Sequence, residues 1–299
     1  MGLPNEDLSK NQTETLICDF CGSPEKSLHR EEWKTVTCKG CGVVHLKDKL
    51  TDEALQQFYS EHYFSNEESG DKGYDNYLDD KPLIKKTFHK RLDEIEKCIE
   101  GKGKTLDVGC AMGFFVETAK ERSWDAEGLD ISQFCVEHIQ KNGNKAHCGL
   151  LQDVSLEEGS YSFVSMWDYI EHTKTPQKDI EKASKLLRKG GLIVLATPNI
   201  GSWPAKLFGK KWMGYKEHEH LYYFNRKDLK NSLERSGFEV LKYKHIGKFI
   251  SLDFFSDRLG LYFPKLSRLI QGFFKKTRLS EVTFYCNPFD IQYFIARKK

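Results

Sequence analysis

Apolar residues in this chain fall in short blocks that alternate between two periods. Thr105-Leu106-Asp107-Val108 is a short, mostly apolar run that enters a turn, Gly109-Cys110-Ala111-Met112-Gly113. Phe114, Phe115, Val116 and Ala119 then recur on one helical face. A second strand follows and ends at Asp130, 21 positions after Gly109. Strand, glycine turn, helix and strand make a βαβ unit, which presents a ligand at the carboxyl ends of its strands. The carboxylate of Asp130 is placed there to grip both hydroxyls of a ribose.

The pattern extends in both directions. Ile84, Phe88, Leu92, Ile95 and Ile99 predict a helix stopped by Gly101 and Gly103. After Asp130, Ser132 predicts an N-cap for a helix through Val136 and Ile139. Lys145-Ala146-His147-Cys148 and the run from Tyr161 to Trp167 predict a third and a fourth strand. Thr175-Pro176 opens a helix that Gly190-Gly191 is expected to end, and residues 192–196 follow as a buried strand. Asn225 caps a helix bearing Leu229 and Leu233. Residues 238–246 and 290–296 complete the strands. Strands alternating with helices predict an α/β fold with a mostly parallel sheet covered on both faces.

Length and cysteines add a second unit. At 299 residues the chain has room for one large α/β domain and a small module. Cys18-x2-Cys21 and Cys38-x2-Cys41 are separated by sixteen residues, a spacing expected of a four-thiolate zinc ribbon. Gly22 and Gly42 each follow a pair and allow tight turns around a metal. Four thiolates close a tetrahedral site, so such a zinc is structural. A redox pair would explain one C-x-x-C but not two. The expected organisation is a ribbon at 15–46, a linker and helical lead-in at 47–100, and the α/β domain at 101–299. Within the lead-in, 58–64 is rich in aromatic residues, a core or a cover for the ligand, and 65–73 is a polar linker.

Charge then limits the partners. Lysine and arginine number 46 against 44 acidic residues, so the whole chain does not announce nucleic acid. Residues 242–278 differ, with nine basic residues against two acidic ones, interleaved with aromatics. Amphipathic helices at about 248–280 are expected there, capping the substrate side. Such a surface suits a nucleotide-sugar diphosphate, an anionic membrane or RNA. No apolar run reaches the roughly 18 residues that a membrane span needs. The first residues lack the basic and apolar regions of a signal peptide, and the thiol-rich composition suits a reducing cytoplasm.

The glycine turn decides between nucleotide chemistries. G-x-G-x-x-G fails, because Ala111 and Phe114 stand where its second and third glycines belong. A P-loop fails as well, since Gly103-Lys104-Thr105 precedes the strand. D-x-G-x-G-x-G is met by Asp107, Gly109, Ala111 and Gly113 with one change, alanine for glycine. This turn resembles the first motif of class I S-adenosylmethionine (SAM) methyltransferases. LDVGCAMGFF, GLDIS, WDYIEHTKTP, LLRKGGLIVLATPN, EHLYYFNRKDL and SGFEV, in this order, are similar to the ubiquinone-biosynthesis O-methyltransferase family from about Tyr74 to Lys299. A zinc ribbon ahead of such a domain also resembles sugar C-methyltransferases.

The resemblance implies a Rossmann-like, seven-stranded sheet whose last strand is antiparallel, with SAM as methyl donor. The implied SAM contacts are Asp107, Gly109, Cys110, Ala111, Gly113 and Phe114, then Asp130 and Ile131, Leu150 and Leu151, and Trp167 and Asp168. Leu150 and Leu151 stand where many SAM enzymes carry an acid for adenine, so backbone and apolar packing are expected to replace it. Because the sulfonium carries its own activation, the protein must align the reactants and supply a base for an oxygen or carbon acid. His220 is the first candidate and His172 the second, with His218 also in reach by sequence. The expected acceptor is a small molecule or a glycan-linked group, methylated at oxygen or carbon. An RNA methyltransferase is the competing reading, and a non-catalytic SAM- or zinc-binding assembly factor is the third.

Overall fold

The computed structural model describes residues 13–15, 17–50, 79–216, 219–277, 279 and 282–299. The aromatic stretch 58–64, the linker 65–73, Tyr74, Tyr77 and His218 lie outside the described residues, as do Arg278 and the side chains of Lys275 and Lys276.

Five short strands come first: β1 (Thr13–Thr15), β2 (Lys26–Arg30), β3 (Thr35–Cys38), β4 (Val44–Leu46) and β5 (Asp48–Leu50). β2, β3 and β4 form an antiparallel meander, and β1 pairs with β5. Helix α1 (Lys81–Glu96) then leads into β6 (Lys104–Val108), α2 (Phe114–Glu121), β7 (Asp125–Asp130), α3 (Gln133–Lys141) and β8 (Lys145–Cys148). They are followed by β9 (Tyr161–Trp167), α4 (Pro176–Leu186), β10 (Leu187–Pro198), α5 (Trp203–Phe208) and β11 (Tyr222–Tyr223). The chain closes with α6 (Arg226–Arg235), β12 (Phe238–Ser251), α7 (Leu252–Gly260), α8 (Pro264–Thr277) and β13 (Thr283–Lys298).

The main sheet has seven strands in the order β12-β13-β10-β9-β6-β7-β8. β13 runs antiparallel to both neighbours, while β10, β9, β6, β7 and β8 are mutually parallel. Side chains of successive strand residues point to opposite faces, and β9 shows the result. Phe163 joins Leu92, Ile95, Phe115, Val116, Val136 and Ile139 from α1, α2 and α3. Val164 and Met166 join Ile180, Ala183, Leu186, Leu229 and Leu233 from α4 and α6 on the other face. A strand covered on both sides has no polar face, and β9 is buried along its whole length. This is the expected fold class.

The N-terminal meander is not an appendage. Tyr222 and Tyr223 of β11 pair with His45 and Val44 of β4, so a strand from the α/β part completes a four-stranded sheet. Cys18, Phe20, Trp33 and Val44 share one core with α4 and α6. The Asp19 carboxylate accepts the backbone N–H of Gln177 at 2.7 Å, in the first turn of α4, and Arg235 donates to the Phe20 carbonyl at 3.2 Å.

Two expectations need correction. Gly190 and Gly191 do not end a helix: α4 stops at Leu186, and both glycines lie within β10, at a register shift between Leu187 and Leu192. Strands β12 and β13 are also longer than their apolar runs predict. Pairing continues past the sheet through Lys248–Cys286, Phe249–Tyr285 and Ile250–Phe284, and α7 and α8 sit at the end of this ribbon, where the helical cap is expected. Cross-strand aromatic packing (Phe249 and Tyr285, centroids 5.4 Å apart) replaces the missing alternation. Gly247 permits the close approach there, since an added Cβ would lie 1.7 Å from the Cys286 carbonyl oxygen. Among the described residues no helix is long and apolar enough to cross a membrane.

Candidate active site

The turn after β6 is set by three left-handed residues: Gly109 (φ 72°), Ala111 (φ 45°) and Gly113 (φ 78°). At Ala111 a side chain occupies a conformation that favours glycine. The Asp130 carboxylate reaches back to the turn and accepts the Ala111 N–H at 2.8 Å and the Ser132 N–H at 2.9 Å. Burial raises its pKa and these backbone donors oppose the rise. The glycines serve packing as much as access. A Cβ at Gly113 would stand 2.6 Å from Ile139, and one at Gly109 would stand 2.7 Å from the Tyr169 ring.

From this turn a cavity of about 550 Å³ extends over the carboxyl ends of the strands, bounded by α1, the 210–220 segment and the β12–α7 junction. Asp107, Gly109, Cys110, Ala111, Phe114, Trp167 and Asp168 line it. Gly113, Asp130, Ile131, Leu150 and Leu151 do not; Leu151 is wholly buried in the core and Leu150 is exposed. Asp107 accepts a hydrogen bond from Ser165 at 2.7 Å, and burial raises its pKa to about 8. Arg91, which the sequence reading did not single out, projects from α1 over the Trp167 ring at 4.6 Å and faces Asp168 and Asp107. Its buried Nε has no hydrogen-bond partner among the described residues.

Glu171, His172 and His220 line the same cavity away from the turn, with ligating atoms within 4.8 Å of one another. The two imidazoles meet edge-on with centroids 4.7 Å apart. His172 Nδ1 lies 3.0 Å from the Glu219 carbonyl, and His220 Nδ1 lies 2.9 Å from the Gly214 carbonyl. A carbonyl only accepts, so both rings carry their proton on Nδ1. Burial lowers the His172 pKa to about 4 and the His220 pKa well below its usual value, so both rings are neutral at pH 7. Burial and the nearby Asp168 raise the Glu171 pKa, Thr197 donates to its Oε2 at 2.8 Å, and its Oε1 has no hydrogen-bond partner among the described residues.

The segment that carries His220 is held from outside. Trp212 donates to Asp290 at 3.0 Å. Trp33, from the N-terminal meander, packs against Trp212 (6.3 Å), Tyr215 (4.8 Å) and Tyr223 (6.1 Å). Leu221 and Tyr222 donate their N–H groups to the Glu171 carbonyl, which fixes the two histidine-bearing segments together.

The four cysteines converge as the spacing predicts, with Cys18 and Cys41 sulfurs 3.5 Å apart and Cys21 and Cys38 sulfurs 3.4 Å apart. All four sulfurs lie within 4.8 Å of one another. A tetrahedral zinc with Zn–S of about 2.3 Å sets its sulfurs about 3.8 Å apart, so the donor set fits that ion. Gly22 and Gly42, both left-handed, donate to the Cys18 and Cys38 carbonyls and close the two turns.

Residues 81–243, more than half of the chain, match the family described as methyltransferase domain. The chain belongs to that family. Its relatives include an uncharacterized protein of Methanocaldococcus jannaschii, 24% identical over 56% of this chain and 78% of that one. They also include the ubiquinone biosynthesis O-methyltransferase of Dechloromonas aromatica, 29% identical over 36% of this chain and 50% of that enzyme. The match thus spans half the length of this second relative. A SAM-dependent methyltransferase from Archaeoglobus fulgidus shares the fold, with TM-score 0.50 and 17% identity over 74% of this chain and 99% of that chain.

The protein is a SAM-dependent methyltransferase, and its residues suit that cofactor. The cavity has the size of a ligand site, and the orphaned Arg91 Nε offers a donor to a carboxylate. A carboxylate has about four lone-pair sites, so Asp130 retains acceptor capacity for ribose hydroxyls beyond its two backbone bonds.

Proposed function

We propose that this methyltransferase acts on a hydroxyl or carbon acid of a small-molecule or glycan-linked acceptor, with His220 as the base. The observation that carries this reading is the orientation of His220. Its Nδ1–H is spent on the Gly214 carbonyl, and Nε2, on a ring that lines the cavity, makes no hydrogen bond to any described residue. A neutral imidazole with an unengaged lone pair is a proton acceptor. His172 stands against it and Glu171 lies beside both, so charge that develops on the pair meets a carboxyl group rather than solvent.

SAM supplies an activated methyl group when bound, and the remaining tasks fall to the chain. Arg91 would hold the methionine carboxylate, Asp130 the ribose, and the Asp107–Gly113 turn the intervening backbone contacts. The cavity then sets the acceptor between that turn and the histidines, where alignment does most of the catalytic work. We further propose that Cys18, Cys21, Cys38 and Cys41 hold a structural zinc. Its role is to brace the 212–223 segment through Trp33 and β11.

Replacement of His220 by alanine tests the assignment. Turnover on an acceptor found by screening phenols, sugars and keto compounds should fall by roughly 10²–10⁴, with SAM affinity nearly unchanged in calorimetry. Normal turnover by His220→Ala together with a loss in His172→Ala would transfer the role to His172.

A further inference from the structure

The end of the molecule that holds α5, α7 and α8 leaves large apolar side chains in water, ordered by helical spacing. On α8, Leu266, Leu269 and Phe273 fall at i, i+3 and i+7, and all are exposed, Leu269 by 74%. The opposite side of this helix is the packed one. Ser267 donates to the Ser256 carbonyl of α7 at 2.7 Å, and a Cβ at Gly260 would stand 3.0 Å from the Ser267 hydroxyl. The exposed stripe is therefore not the face that holds α8 on the fold. On α5, Trp203 and Leu207 stand one turn apart and are exposed by 55% and 66%. Phe208 of α5 packs on Tyr262, between α7 and α8, with ring centroids 4.1 Å apart, so the two exposed groups are neighbours.

The charges among these side chains are mostly of one sign. α8 contains Lys265, Arg268, Lys275 and Lys276 and no acid, and α5 contains Lys206 and no acid. Lys210 and Lys211 follow α5. Lys206, Lys210, Lys211, Lys265 and Arg268 are exposed; Arg268 donates its Nε to the Pro264 carbonyl at 3.3 Å, a bond that leaves its charge in place. α7 contributes two acids, Asp253, exposed, and Asp257, half-buried. Lys210, Lys211, Met213 and Leu261 are exposed and also line the cavity, so its opening borders this surface.

We propose that α5 and α8 form a docking face for an anionic lipid bilayer, which holds the opening of the methyl-transfer cavity at the headgroup layer. Leucine, phenylalanine and tryptophan flanked by lysine and arginine are the composition of a helix that lies in a membrane interface. The apolar stripe enters the boundary between headgroups and acyl chains, while the cations stay with the phosphates. Trp203 suits that boundary, since its ring is apolar and its N–H meets the polar layer. Each cation near an anionic surface adds attraction that salt weakens. A second copy of this chain, joined through the same face, would bring like charges together. A bilayer instead supplies a continuous layer of phosphates over an apolar interior. Leu266, Leu269, Phe273, Lys265 and Arg268 do not line the cavity, so docking and methyl transfer use separate side chains.

Sedimentation of the full chain with sucrose-loaded vesicles tests this. Vesicles of equimolar phosphatidylcholine and phosphatidylglycerol should carry the protein down, and vesicles of phosphatidylcholine alone should bind it about tenfold or more weaker. A Leu269→Ser, Phe273→Ser variant and a Lys265→Glu, Arg268→Glu variant should each weaken binding to the mixed vesicles about tenfold or more. Affinity for S-adenosylhomocysteine should match the wild type in both, since the changed positions are exposed and outside the cavity. Phe273→Trp should keep vesicle binding, and lipids brominated in their acyl chains should quench its emission more than that of the wild type. That variant decides the question if either double variant fails to fold. The proposal is overturned if the mixed vesicles do not bind, if both vesicle types bind equally, or if either folded double variant binds as the wild type does. Absence of extra quenching in Phe273→Trp overturns it as well. So does a dimer in sedimentation velocity that Leu269→Ser, Phe273→Ser dissociates, since the face would then belong to a second copy.

Discussion

The glycine turn and the histidine pair open onto one cavity, yet they are built in opposite ways. The turn comes from one continuous stretch, 104–130, in which strand, glycines, helix and acid fix one another through bonds such as Ala111 N–H to Asp130. The histidine end is assembled from segments far apart in the chain. His172 follows β9, His220 precedes β11, and Trp33 arrives from the four-cysteine meander to pack beneath the His220 segment. A contiguous site depends on local backbone geometry, whereas an assembled one depends on whatever holds its distant parts together. The two ends should therefore fail separately.

Removal of the proposed zinc is the largest perturbation and is expected to break only one side of the comparison at first. A structural zinc contributes its binding free energy to folding, on the order of 10 kcal/mol in small zinc domains. Purified protein is expected to contain one zinc per chain under reducing conditions. Chelation, or Cys38→Ser, should release Trp33 and expose the 212–224 segment to hydrogen exchange while β6 and β7 remain protected. Metal analysis that finds no stoichiometric zinc would end the assignment. Equal loss of protection at both ends would show that the two are one cooperative unit.

A smaller effect probes the turn. Asp130→Ala removes the proposed ribose acceptor and also strands the Ala111 and Ser132 N–H groups. A hydrogen bond to a charged group is worth roughly 1.5–3 kcal/mol, so SAM affinity should fall about ten- to over a hundredfold. The protection of the 212–224 segment should not change. Unchanged SAM affinity in the folded variant would remove Asp130 from the cofactor site.

The smallest effect concerns strain. Ala111 has φ 45°, a conformation that costs a non-glycine residue about 1–2 kcal/mol. Glycine there would relieve that cost but lose about 0.5–1 kcal/mol to chain entropy. Urea denaturation of Ala111→Gly should thus show a gain of at most about 1.5 kcal/mol, with SAM affinity nearly constant. A clear loss of stability would mean that the alanine methyl group makes contacts worth more than its strain.

What each end revealed in advance follows from the same difference. Local spacing determined the cysteine pairs, the D-x-G-x-A-x-G turn, Asp130, and the order of strands and helices. Each of these depends on residues within one or two turns of backbone, where hydrogen-bond geometry leaves little choice. A mostly parallel sheet covered on both faces followed, because alternating βα units admit few other arrangements, while its seven strands and antiparallel last strand came from the family resemblance.

Only the tertiary structure decided the rest. Gly190 and Gly191 look like a helix stop but lie in β10, because strand pairing with β9 outweighs the local signal. Ribose and adenine candidates read from chain order are placed differently: Asp130 accepts the Ala111 and Ser132 N–H groups of the turn, and Leu151 belongs to the core. Arg91 carries no local mark, and Lys248 is marked only as one of nine basic residues in 242–278. They become cavity cations only because α1 crosses the ends of the strands and β12 runs past the sheet edge. The joining of β11 to β4 links positions more than 170 residues apart, and no periodicity records a pairing of that kind. Local sequence fixes backbone conformation through short-range sterics and hydrogen bonds, while packing decides which distant side chains share one cavity and how far water is excluded from them.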